Sequence, residues 1–249
     1  MNKRQLKDLL YEQVARIGKA VASPKRLELI ELLAQGEKSV EQLAIELSID
    51  IKLASAHLRA LREARLVTSR KEGKFVVYRL TGPDVAGLWV TLREVAEEHL
   101  VDLRVALDQM VAEPKKLVSL DRQALMEQAQ RGEVVVIDVR PQAEYEQSHL
   151  PFARSMPVQE IANRLSELPK DKAIVAYCRG PFCLFSEEAY ELLSNQGYRV
   201  HKLLDGVSEW QAAGMPLNTP KQAKEGLLFN ANVRRNFDGL KDSIKSGGK

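Results

Sequence analysis

Both cysteines of this 249-residue chain fall inside one short stretch, Ile174-Val-Ala-Tyr-Cys-Arg-Gly-Pro-Phe-Cys183. An apolar run ends abruptly at Cys178. Beyond it, Ser186-Glu-Glu-Ala-Tyr-Glu-Leu-Leu193 has apolar residues at helical spacing and acids in its first turn, as the positive end of a helix dipole favours. Strand, loop and helix in that order place Cys178 at the C-terminal edge of a strand, facing a helix N-terminus. Backbone N–H groups in such a loop converge into an anion nest, with Gly180, Pro181 and Phe182 as the stretch that would touch a substrate. A thiol held there ionises below its free value of about 8.5, and more so if the Arg179 guanidinium turns inward. The competing reading is a buried, inert cysteine that only packs.

Positioning such a loop takes a parallel α/β unit, and the chain is long enough to hold that unit and a second domain, each with its own core. Two cysteines so close together are not a disulfide framework and read as redox or nucleophilic chemistry in a reducing compartment. The chain contains no run of about 18 apolar residues to span a bilayer, and MNKRQLKDLLYEQ lacks the apolar centre of a signal peptide, so a cytoplasmic protein with no membrane role is expected. The net charge of +3 is unevenly spread. From Asp50 to Leu80 there are eight basic residues against three acidic ones, an excess that points to an anionic surface partner such as nucleic acid.

Upstream of the cysteines the periodicity is helical. Met1–Ala22 carries an apolar stripe, Ser23-Pro24 restarts the chain as an N-cap followed by proline, and the second helix stops at Gly36. Ser39 opens a short third helix. A turn through Ser48-Ile49-Asp50 leads to a basic, amphipathic fourth segment, Ile51–Ala64, and the pair forms a helix-turn-helix. Leu66–Leu80 alternates as two strands around Glu72-Gly73, a hairpin with basic flanks, and the whole makes a winged helix. These residues, Ser39-Val-Glu-Gln-Leu-Ala, then Ala54–Ala64, Leu66-Val67 and Tyr78-Arg79-Leu80, resemble the ArsR family of dimeric bacterial repressors over roughly the first 110 positions. The family commonly has glycine where Arg65 stands here, so a different closure of that helix is expected. Placed as the resemblance implies, Lys52, Ser55, His57 and Arg59 become candidate base or phosphate contacts in the major groove, and Arg70, Lys71 and Lys74 on the wing candidate phosphate contacts, each weighed against a solvated charge. His57 has the further alternative of packing against the neighbouring helix. A long amphipathic helix, Leu88–Val111, would join the first helix in a homodimer interface. Many relatives sense metal through cysteines or His and Asp pairs. His99 and Asp102, three apart on that helix, make a poor site without a cysteine, and no metal or cofactor is called for.

Glu113-Pro-Lys-Lys116 reads as a linker, after which the period changes. Apolar strands at Val134–Arg140, Ala173–Tyr177 and Val200–Leu204 alternate with helices at Asp121–Arg131, Val158–Leu165 and after the cysteines, the pattern of a parallel sheet. Asp138-Val-Arg140, Glu144-Tyr145 with His149-Leu-Pro, the strand ending at Cys178, and Gly206, Trp210, Gly214 and Pro216 resemble a rhodanese domain across residues 117–217. The resemblance makes Asp138, Arg140, Glu144 and His149 structural, fixing loops beside the site. It makes Cys178 the nucleophile that takes sulfane sulfur from a polysulfide, persulfide or thiosulfate, with Arg179 and the loop N–H groups stabilising negative charge. Phosphatases and arsenate reductases of the same fold end a longer loop in arginine. Leu184 at the sixth residue past Cys178 leaves a dianion without that clamp. Cys183 either resolves a Cys178 persulfide by expelling sulfide or fills the first turn of the helix.

The expected fold is therefore two domains, a mostly-α winged helix-turn-helix over residues 1–112 and an α/β rhodanese-like unit over 117–217. A basic tail, 218–249, follows, either partly helical around Phe229–Leu240 or disordered. The expected function is a dimeric operator-binding repressor whose affinity for double-stranded DNA follows the sulfur state of Cys178. Two alternatives stand beside it: a sulfurtransferase whose DNA-binding half localises or regulates it, and a DNA binder whose rhodanese fold is an inactive partner module.

Overall fold

The computed structural model describes residues 2–110 and 121–219, so the expected linker at Glu113–Lys116 and all but the first two residues of the expected tail lie outside the described residues. The chain opens with helices α1 (Lys3–Val21) and α2 (Pro24–Ala34). Ser23 precedes α2 in extended conformation but makes no capping side-chain bond, leaving Pro24 as the start signal. A two-residue strand, β1 (Lys38–Ser39), runs directly into α3 (Val40–Glu46), which Ser39 and Gln42 close with a reciprocal capping box. The turn ends at Asp50, whose side chain accepts from Leu53 N at 2.9 Å to cap α4 (Ile51–Glu63).

Arg65 takes a left-handed conformation, φ +60°, directly after α4. The helix thus closes as a glycine would close it, and the expected departure from the family pattern is absent. The Thr81 hydroxyl donates to the Arg65 carbonyl at 2.9 Å and holds the turn against the wing. That wing is β2 (Val67–Glu72) and β3 (Phe75–Leu80), antiparallel with Glu72 opposite Phe75, and β1 adds to the far side of β3 to give the order β1-β3-β2. Leu29, Leu43, Leu58 and Leu61 are fully buried between the helices and this sheet. Each such side chain contributes about 1.5–3 kcal/mol on leaving water.

The long helix expected over Leu88–Val111 is two helices. α5 (Pro83–His99) ends at Leu100, which is extended (φ −104°, ψ 105°), and α6 (Val101–Met110) begins beyond it. His99 and Asp102 consequently sit on opposite sides of a break and share no continuous helical face.

The second sheet is parallel, in the order β5-β4-β6-β7: β4 (Val134–Asp138), β5 (Arg154–Ser155), β6 (Ala173–Tyr177) and β7 (Val200–Lys202). Around it lie α7 (Arg122–Gln130), α8 (Gln142–Gln147), α9 (Ile161–Arg164), α10 (Phe185–Asn195) and α11 (Val207–Ala212). The helix expected at Val158–Leu165 is a succession of a 3-10 turn, α9 and another 3-10 turn. Parallel strands bury both faces, which is why Ile137, Ile174 and Ala176 are sealed in one apolar cluster and Val136, Val175 and Tyr177 in another on the opposite side. Asn218 still belongs to this body, pairing with His149 as an isolated bridge. Among the described residues no helix is long and apolar enough to cross a membrane.

Arg65→Gly tests the left-handed turn. Relieving a Cβ at positive φ is expected to stabilise the protein by about 1 kcal/mol in chemical denaturation, whereas the same change inside a helix costs about that much.

Candidate functional site

Cys178 follows the last residue of β6 and is 1% exposed. Its sulfur lies 3.4 Å from Ser186 Oγ, 3.5 Å from the Cys183 carbonyl oxygen and 3.8 Å from that of Gly180. Burial pushes the thiol up. Hydrogen bonds from the Cys183 thiol, from the Ser186 hydroxyl and from the Gly180 and Ser186 backbone outweigh it, and Cys178 ionises at about 7. Cys183 is driven in the opposite direction, first by its hydrogen bond to Cys178 and then by burial and the neighbouring charge. Of the pair, Cys178 is the one that becomes a thiolate, and Cys183 keeps its proton and donates it. Both thiols are free.

Two glycines allow the loop to close so tightly. A Cβ on Gly206 would sit 2.5 Å from the Arg179 carbonyl, so the chain leading into α11 can cross the Cys178–Arg179 peptide only with hydrogen there. Gly180 has φ +141°, and a Cβ on it would meet both Glu209 carboxylate oxygens at 3.1 Å. Glu209 in turn accepts from the Gly206 N–H at 2.7 Å.

The Arg179 guanidinium is engaged by carboxylates. It donates to Glu144 Oε2 at 3.0 Å and Oε1 at 2.5 Å and to Glu46 Oε2 at 2.7 Å. Lys38 meets the same two acids, at 2.8 Å from Glu144 and 2.9 Å from Glu46. Burial raises the Glu144 carboxyl, and Arg179 and Lys38 bring it below its ordinary range. Behind it, the fully buried Asp138 and Arg140 pair at 2.6 Å, and Arg140 also donates to Ser148 O at 2.8 Å and to Gln35 Oε1 at 2.9 Å. His149 stacks on Tyr145 with centroids 3.8 Å apart. The Phe182 side chain reaches from the loop to the other domain. Its ring meets Trp89 of α5 edge-on at 5.7 Å and packs against the winged-helix core. Arg93, also on α5, pairs with Glu209 at 2.5 Å.

Glu46, Trp89 and Arg93, which touch the cysteine loop, and Gln35 and Lys38, which meet Arg140 and Glu144 beside it, were missed in the sequence because no local spacing signals a contact between domains. Ser186 was legible only as a helix start. Glu31 of α2 faces the same region. Its Oε1 is buried without a hydrogen-bond partner among the described residues, and burial, then the Glu209 and Cys178 charges, raise its carboxyl to about 7 against the pull of Arg179 and Arg93.

In the winged helix, Lys52, Arg59, Arg70, Lys71 and Lys74 are exposed, and Ser55 and His57 are partly buried on α4. Two of the cations have acidic neighbours: Arg59 pairs with Glu63 at 2.9 Å, and Arg70 with Glu37 and, at 3.1 Å, with Glu72. Lys74 lies 5.1 Å from the Phe75 ring centroid.

A basic winged helix joined to a rhodanese-like sheet headed by a low-pKa thiol defines a two-domain class. A family model described as Bacterial regulatory protein, arsR family, matches residues 23–69, and one described as Rhodanese-like domain matches residues 121–213. The chain is 42% identical over 212 residues to the HTH-type transcriptional regulator Rv0324 of Mycobacterium tuberculosis, an alignment covering 85% of this chain and 93% of that protein. A sulfurtransferase of Allochromatium vinosum is 36% identical over 104 residues, 41% of this chain and 95% of that one. Among solved structures, the homodimeric winged helix-turn-helix DNA-binding domain Mb0332 from Mycobacterium bovis is 45% identical, covering 40% of this chain and 91% of that chain with a TM-score of 0.37. The chain belongs to the arsR family of bacterial regulatory proteins and carries a rhodanese-like domain behind its winged helix.

Alkylation of Cys178 by iodoacetamide is expected to follow a single ionisation at about 7. In Ser186→Ala, which lacks one donor to the thiolate, the midpoint is expected to rise by roughly 0.5–1. Glu31 gives a stability test. The folded carboxyl keeps its proton to about pH 7 while the unfolded one loses it near 4.5, so its contribution is complete below 4.5 and is lost as pH rises through 7. Glu31→Gln removes that loss and is expected to melt above wild type at about pH 8, by roughly 5 °C, and close to it at about pH 4.

Proposed function

We propose that this regulator is a cytoplasmic, homodimeric DNA-binding repressor whose operator affinity is set by reactive sulfur at Cys178. The observation that carries the reading is the thiol pair: a nucleophile that ionises at about 7 hydrogen-bonded to a second thiol that does not, on one chain with a winged helix. In the first step the Cys178 thiolate attacks one sulfur of a hydropolysulfide such as HSSH. A new S–S bond forms, the old one breaks, and hydrosulfide leaves, giving Cys178–S–SH. In the second, the Cys183 sulfur attacks the Cys178 sulfur of that persulfide, a Cys178–Cys183 disulfide forms, and hydrogen sulfide departs with both protons. The donor is itself the oxidant, so no other is needed. Arg179, held by Glu144 and Glu46, and Gly180, Pro181 and Phe182 shape the loop in which this happens.

On the nucleic-acid side, α4 enters the major groove with Lys52, Ser55, His57 and Arg59, and the wing lays Arg70, Lys71 and Lys74 along phosphates. Support for a dimer comes from apolar side chains left exposed at helical spacing on the outer helices: Leu6, Leu10 and Val14 on α1, and Leu88, Leu92 and Val95 on α5. Similarity to a named sulfurtransferase favours a second reading, in which sulfur transfer is the activity and DNA binding only localises it.

Fluorescence anisotropy on a duplex taken from upstream of the protein's own coding region separates the two. Treatment with polysulfide is expected to change wild-type affinity at least tenfold and to leave Cys178→Ser unchanged, with mass spectrometry showing a gain of about 32 Da per added sulfur or the loss of two hydrogens. Thiosulfate:cyanide turnover with unaltered DNA binding would establish the second reading instead.

A further inference from the structure

The loop that carries Cys178 is seated on the winged-helix domain at three points. Phe182, at its apex, packs into the N-terminal core, edge-on to Trp89 at 5.7 Å and with the Arg93 guanidinium 5.9 Å from its ring centroid. Glu209, whose carboxylate covers Gly180, is held at 2.5 Å by Arg93, itself only 4% exposed. Arg179 reaches Glu46, the last residue of α3, at 2.7 Å, and Lys38 clamps Glu46 from the other side at 2.9 Å. Trp89 and Arg93 lie one helical turn apart on α5, so one face of one helix holds the loop by an aromatic and an ionic contact together. Neither domain needs these contacts to complete its own sheet.

We propose that Trp89, Arg93 and Glu46 are positioning residues of the sulfur site, so that the winged-helix domain supplies the seat on which the Cys178 loop is held. The inference rests on the reading of Cys178 as the reactive thiol and adds a route to it. A substituent on the buried Cys178 has to be accommodated by a loop that Phe182 and Arg179 already hold against the winged helix. The adjustment falls on Phe182 and Arg179, and through them on α5 and on the end of α3, next to the turn into α4. A contact that differs between two states couples the sites at its ends by the difference in its free energy.

The test needs no knowledge of the sulfur donor or the operator, because iodoacetamide serves as the probe of the full-length protein. In Trp89→Ala and Glu46→Gln the limiting alkylation rate of Cys178 at high pH is expected to rise about tenfold through local opening of the loop, while the midpoint stays near 7, since the thiol's hydrogen bonds come from within the loop and Ser186. Trp89→Phe, which keeps an aromatic edge for Phe182, is expected to restore the wild-type rate. In the wild type, alkylation of Cys178 is expected to raise amide hydrogen exchange in α5 around Trp89 and in α3, and in Glu46→Gln to leave α3 unaffected. Glu46→Gln removes a partly exposed charge and answers the question should Trp89→Ala not fold. Rates within twofold of wild type in both variants, or unchanged exchange in α3 and α5 on alkylation, would overturn the proposal while leaving Cys178 reactive. A Cys178 that iodoacetamide does not modify in any of these proteins would overturn the sulfur reading itself, and this inference with it.

Discussion

A carboxylate removed from water must find cations, and Glu144 finds one from each domain. Its side chain is nearly sealed, and Lys38 of the winged helix and Arg179 of the cysteine loop both lie within 2.8 Å. Stripping either cation from a buried ion cluster costs about 3–5 kcal/mol, because the uncompensated charge stays behind. That constraint ties the two halves in one relative placement. Asp138 and Arg140 extend it inward to β4, Gln35 accepts from Arg140 at the end of α2, and Glu46 extends it outward to α3. A hydrophobic interface of the same size would tolerate sliding. A set of directed ion pairs fixes register.

The same charges explain why the loop arginine does not set the thiol's ionisation. With two carboxylates already on its guanidinium, Arg179 is electrically satisfied, and the Cys178 sulfur draws its stabilisation from short-range donors instead. Acidic groups crowd this region: Glu31, Glu46, Glu144 and Glu209 come from four different elements. Burial first, and then the nearby Glu209 and Cys178 charges, raise the Glu31 carboxyl to about 7.

Much of the molecule was legible in the residues. Apolar spacing located α1 to α4 and the wing, and the β6 run with its acid-led helix located Cys178 between a strand and a helix. Local chemistry did not carry further than local contacts. β1 is two residues long and exists because Lys38 and Ser39 lie against Tyr78 and Val77, partners nearly forty positions away. The break at Leu100 has no proline or glycine to announce it, so an unbroken helix was the natural expectation for Leu88–Val111. Arg65 hid a left-handed turn under a residue that rarely adopts one. At the site, the nucleophile and its loop were visible, whereas Trp89, Arg93 and Glu46 read as ordinary helix residues until the fold brought them to the loop. The sequence leaves open whether the Arg179 guanidinium turns inward, and in the fold it pairs with Glu46 and Glu144, carboxylates far from it along the chain.

Lys38 and Ser39 show how closely the parts are geared. Within two consecutive residues the backbone completes the wing sheet, the serine closes the start of α3, and the lysine grips Glu46 and Glu144. A residue inserted between Gly36 and Val40 would disengage all three together, whichever amino acid it was. Evolution can therefore vary the chemistry of this hinge point far more freely than its length, and homologues that differ in the number of residues here would have to join their two domains by another arrangement.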